Sequence, residues 1–176
     1  MAGKPQGPRP AQQGRPRTGA RVAAVQALFQ SEQAEETAET VIDQFTRHRL
    51  GKTESSDGFE EGRVTDAHVP LFNAIVRAAV QGQDQIDKRI ADHLPAEWPF
   101  ERLDPVLRAL LRAAAAELSM TDGPPVRVVI NEYLDVAHGF FHGDEPKLVN
   151  GLLDTLGREA RPGEFAAAAP ADQPTP

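Results

Sequence analysis

The chain has 176 residues, 40% of them hydrophobic, with no cysteine and a formal net charge of −7. That length suits one domain with tails, and the missing thiols exclude disulfides, thiolate metal sites and cysteine nucleophiles together. No run approaches 18 uninterrupted apolar residues and no apolar stretch follows the first basic residues. Neither a membrane span nor a secretory leader is therefore expected, and the expected compartment is the cytoplasm.

Charge is unevenly placed. Lys4, Arg9, Arg15, Arg17 and Arg21 make the first 21 residues purely basic, which leaves −12 on residues 22–176 by subtraction. An acidic body repels phosphate at long range, so a basic arm at its edge points to nucleic acid held locally. Residues 1–16 are rich in Pro, Gly and Gln without an apolar period, and are expected to be disordered when free. The Ala- and Pro-rich tail, residues 161–176, reads the same way, leaving 17–160 as the folded domain.

Within that domain every periodic stretch is helical. Val22, Val25, Leu28 and Phe29 make the first stripe, with Thr18 as the expected N-cap. Val41, Ile42 and Phe45 mark a second helix, ending near Leu50-Gly51, and the polar, Gly-rich stretch 51–65 reads as a loop without an assigned role. Leu71, Phe72, Ile75, Val76, Ala79 and Val80 define a third helix; Ile86, Ile90 and Leu94 define a fourth, stopped by Pro95 and Pro99. Asp104-Pro105 is an N-cap followed by a proline where no N–H is needed, and Val106, Leu107, Leu110, Leu111, Ala114 and Leu118 follow at helical spacing. Pro124-Pro125 opens a sixth helix, with Val126, Ile130, Tyr133, Ala137 and Phe141 on one face. Asp144, Glu145 and Pro146 open the last, whose apolar side is Leu148, Val149, Leu152, Leu153 and Leu156. No hairpin signal occurs. The fold class is all-α, a single compact domain of about seven helices.

Catalytic chemistry finds little support. His138 and His142 are four apart, a spacing that on one helix can hold zinc, but the remaining ligands and any HExxH pattern are missing. No phosphate-cradling glycine loop and no nucleophile elbow is present. Glu132 and Asp135 lie off the apolar stripe of their helix, and no acid/base pair stands out. The chain reads as a binding protein with no cofactor and no metal.

Two polar groupings exceed what packing demands. Arg17 and Arg21 sit at the entry to the first helix, with Arg15 just outside. Cations there oppose the helix dipole, and a bound phosphate would relieve the conflict. In the last helix Lys147, Gly151 and Asp154 share an exposed face with Asn150 at its edge; lysine can neutralise a phosphate and the Asn amide can read a base edge.

The stretches ARVAAVQALFQ (20–30), LDPVLRALLRAAAAEL (103–118), PPVRVVINEYLDVAHGFF (124–141) and DEPKLVNGLLD (144–154), in this order, resemble the NusB family of bacterial transcription antitermination factors. The resemblance implies two small helical bundles packed together. It implies binding of single-stranded boxA RNA and a heterodimer with NusE, a basic ribosomal small-subunit protein that an acidic body would suit. It also implies delivery of both to the RNA polymerase antitermination complex during ribosomal RNA transcription. By position, Arg15, Arg17 and Arg21 would meet RNA phosphates, and Asp144, Lys147 and Asn150 fall in the family's second RNA-contacting segment. The exposed side of helix 104–118 and its neighbours would face NusE, and an apolar face of that kind could also form a homodimer. This arm is thinner in basic residues than is usual in the family, Ala116 stands where Tyr is usual, and Leu148 where Phe is frequent. The competing readings are the NusB-like module of an RNA cytosine methyltransferase, against which stands the lack of any βαβ pattern after the last helix, and a protein-only scaffold with weakened RNA binding.

Overall fold

A computed structural model describes residues 16–50 and 67–166. The expected arm residues before Pro16, the 51–65 loop and the end of the tail lie outside the described residues. Those that are described form α1 (Pro16–Ala34), α2 (Ala38–His48), α3 (Val69–Gln81), α4 (Gln83–His93), a 3-10 turn (Phe100–Arg102), α5 (Pro105–Leu118), α6 (Val126–Phe140), α7 (Glu145–Ala160) and α8 (Gly163–Ala166). Among them there is no β-sheet, and no helix is long and apolar enough to cross a membrane. The all-α expectation holds.

α1, α2 and α3 pack on one another, α4, α6 and α7 pack around the other side, and α5 touches members of both groups. Its sequence explains this place. Leu107 and every residue from Ala109 to Leu118 are buried, and a helix that is apolar on nearly all sides belongs inside. Four consecutive alanines, Ala113–Ala116, leave room for neighbouring helices to approach closely. Ala116, 2% exposed, sits in this contact zone. The expected exposed side of helix 104–118 is therefore absent beyond its first turn, because the helix is enclosed from both bundles.

Local signals set the helix starts. The Asp104 carboxylate accepts from Val106 N–H at 2.8 Å, with Pro105 next in line. His68 caps α3 through Nδ1, which accepts from Leu71 N–H at 3.1 Å. Thr18 is not a cap: α1 begins earlier, at Pro16, and the Thr18 hydroxyl donates to Glu132 Oε2 at 2.6 Å. α1 ends on Glu35 at φ 53°, and Glu36 N–H returns to Ser31 carbonyl at 3.1 Å, a Schellman-type ending made without glycine.

Residues 161–166 correct the expected boundary of the tail. The Arg161 guanidinium donates to the carbonyls of Leu118 (3.1 Å), Pro124 (2.5 Å), Met120 (2.6 Å) and Glu117 (3.3 Å). A cation is thus bound at the negative end of α5, where carbonyls lack helical partners. In α8 the Glu164 carboxylate accepts from Val126 N–H at 2.7 Å, capping α6 from outside it. That bond and Arg161 hold the Glu164 pKa below its ordinary value despite some desolvation. Phe165 packs against the core.

Candidate nucleic-acid interface

At the N-terminal end of α1 the arginines take different roles. Arg17 is exposed, lining a shallow groove with Thr18, His68, Pro124, Val128 and Glu132. Arg21 is 2% exposed and points inward. Its Nη2 lies 2.6 Å from Glu117 Oε1, its Nε 3.0 Å from Glu117 Oε2, and its Nη1 3.1 Å from Glu132 Oε2. Glu117, with no exposed surface, also accepts from the Tyr133 hydroxyl at 2.9 Å. Burial alone would lower the Arg21 pKa, but the bonds and charge of Glu117 outweigh it and raise it. Burial first, and then the Glu117 charge, push Tyr133 well above its ordinary value. Arg21 is the sixth residue of α1, beyond the first turn where the helix dipole acts, and internal carboxylates match its charge, so it is withdrawn from phosphate contact. Glu132 likewise serves this network instead of facing solvent. Arg15 lies outside the described residues.

The second grouping stands at the mouth of α7. Lys147, Asn150 and Gly151 are exposed, as is Asp144, whose side chain makes no capping bond. Asp154 is half-buried and paired with Arg158 at 2.9 Å, so it is not a free member of the face. Asp144 and Lys147 line a groove with Pro95, Glu97, Trp98 and Leu148. Leu148, 8% exposed, is part of the core and forms its floor.

These two groupings do not converge. Arg17 shares a groove with Met120 and Pro124, the carbonyls that Arg161 binds beyond the C-terminus of α7. Lys147 stands at the opposite end of that 16-residue helix. At 1.5 Å per residue the two are separated by on the order of 20 Å. Chain order concealed a second cation near the arm. Arg127 is exposed in the first turn of α6, beside Val128 of the Arg17 groove, and pairs with no described carboxylate. Its signal was present, since Arg127 falls off the apolar stripe of its helix. His138 and His142 fail the condition for a shared helical face, because α6 ends at Phe140. Among the described residues no three acidic or imidazole side chains cluster in a way that could hold a metal ion.

The model of the NusB family matches residues 18–158. The chain belongs to the NusB family. Its relatives include the transcription antitermination protein NusB of Granulibacter bethesdensis, 67% identical over 152 residues and covering 86% of this chain and 93% of that protein. The protein of the same name from Gluconobacter oxydans is 60% identical over 149 residues, covering 85% and 91%. A solved structure of T. maritima NusB superposes with a TM-score of 0.67 at 27% identity, covering 86% of this chain and 98% of that one. The NusB match begins at Thr18 and ends at Arg158. It therefore takes in the buried Arg21–Glu117 pair and the mouth of α7, and it stops short of the Arg161 clamp.

Proposed function

We propose that this protein is a transcription antitermination factor that acts by binding, without catalysis. It holds boxA-type single-stranded RNA together with NusE during ribosomal RNA transcription, as part of the RNA polymerase antitermination complex. Phosphate contacts come from Arg15 and Arg17 at the arm and from Lys147 at α7, while Asp144 and Asn150 offer acceptor and amide groups to base edges. The observation that carries this reading is membership of the NusB family across 18–158, with Lys147 and Asn150 exposed at the α7 mouth. The net charge of −7 supports a basic protein partner. Because α5 is enclosed, the NusE surface belongs to its neighbours.

The test is an anisotropy titration of labelled boxA RNA against a scrambled strand, with and without NusE. Three phosphate contacts on a single strand give a log–log salt slope of about −2. Lys147→Ala lowers affinity for all sequences about equally and reduces the slope by roughly one contact's share, without changing stability. A slope near zero, or equal binding of the scrambled strand, refutes the proposal.

A further inference from the structure

The groove at the mouth of α7 contains one side chain that the phosphate contacts do not use and that packing holds only in part. Trp98 is the single tryptophan of the chain. It is half-buried, with part of its ring against the core and part lining the groove beside Asp144, Lys147 and Leu148. Pro95 and Pro99 flank it, and Trp98 N–H donates to Pro95 carbonyl at 2.9 Å, so the backbone that carries the ring is held in a turn. Several other rings are engaged: Phe45 stacks on Phe72, Phe140 touches Phe141, and Phe100 lies under the guanidinium groups of Arg108 and Arg112, although half-buried Phe29 is not. Among the described residues Trp98 has no such aromatic or cationic partner.

We infer that Trp98 is the stacking platform for one unpaired base of the bound RNA. The inference rests on the RNA-binding reading above and adds a base-stacking residue to it. An indole held at the rim of an apolar floor presents a π-face at little entropic cost, because its backbone is already fixed. Lys147 beside it suits the phosphate of the same nucleotide, and the Asp144 carboxylate, acceptor-only, suits an exocyclic amino group on the base.

The test uses the full chain with 5-fluorotryptophan in place of tryptophan, which gives a single 19F resonance, in complex with unlabelled NusE. Adding boxA RNA should shift that resonance, while NusE alone should not. Anisotropy of labelled RNA reports binding independently. Trp98→Leu, which keeps an apolar side chain, should lose roughly 5- to 100-fold in RNA affinity, and Trp98→Phe should recover most of it. RNA that binds by anisotropy while the resonance stays still, or Trp98→Leu and Trp98→Phe with wild-type affinity, overturns the stacking role and leaves the RNA reading standing. A shift produced by NusE alone overturns it as well and assigns the groove to the protein partner. No binding of boxA RNA in any form overturns both readings together.

Discussion

Replacing Arg21 by alanine should damage stability far more than any other change in the basic arm. The substitution removes the guanidinium bonds at 2.6 and 3.0 Å and leaves Glu117, which has no exposed surface, with only the Tyr133 hydroxyl at 2.9 Å. Stripping one partner from a buried ion pair costs about 3–5 kcal/mol, because the remaining charge is neither solvated nor matched. For a chain of this length each kcal/mol lowers Tm by roughly 2–4 °C, so a drop of about 6–20 °C is expected by circular dichroism. Arg17→Ala, at an exposed position, should leave Tm within about 1 °C. The triple variant Arg21→Met, Glu117→Leu, Tyr133→Phe should recover much of the loss, since it removes the countercharge and also the buried hydroxyl that donates to Glu117. An Arg21→Ala protein melting within a few degrees of wild type would refute the assignment of Arg21 to a buried network. A loss of RNA binding in that variant reports unfolding unless Tm is measured beside it.

Glu32 accepts from both Arg108 and Arg112, and although burial alone would raise its pKa, those bonds hold it below the ordinary 4.5. Its stabilising contribution is therefore full above 4.5 and is lost as pH falls through the lower folded value, so the Tm gap between wild type and Glu32→Gln should close in acid. Gly157→Ala places a methyl 2.5 Å from Val126 Cγ1 between α6 and α7 and should cost about 1–3 kcal/mol in denaturant unfolding. Gly151→Ala meets nothing within 4 Å and should stabilise by about 1 kcal/mol. An RNA too short to span on the order of 20 Å should respond to Lys147→Ala or to Arg17→Ala but not to both, and equal sensitivity to both in an anisotropy titration would contradict their placement at opposite ends of α7.

The helices were legible because their signals are local. Apolar spacing marks α3, α5 and α7, and Asp104-Pro105 announces a start within two residues. What the sequence hid depends on partners far away. Arg21 reads as a free cation until Glu117, 96 positions on, is seen to receive it. Arg161 and Glu164 read as tail until the ends of α5 and α6 are seen to need a donor and an acceptor. In the candidate interface, the exposure of Lys147 and Asn150 followed from their place off the apolar stripe of α7. The separation of Lys147 from Arg17 did not, because it depends on which way α7 runs against α1.

Much of the positive charge is used inside the protein. Arg21, Arg108 and Arg112 form ion pairs joining α1 and α4 to α5 or α6, and Arg77, Arg89, Arg158 and Arg161 are also paired with carboxylates. Arg17, Arg49, Arg102, Arg127 and Lys147 form no ion pair with a described carboxylate. Such a body cannot hold RNA by a broad field, since its net charge opposes phosphate. On the proposed reading, attraction falls to separate exposed cations, those at the two ends of α7 among them, each acting within about a Debye length. The net negative charge of the whole chain favours a basic partner. On the RNA-binding reading proposed above, a strand long enough to meet both ends of α7 is held more tightly than one that meets a single end.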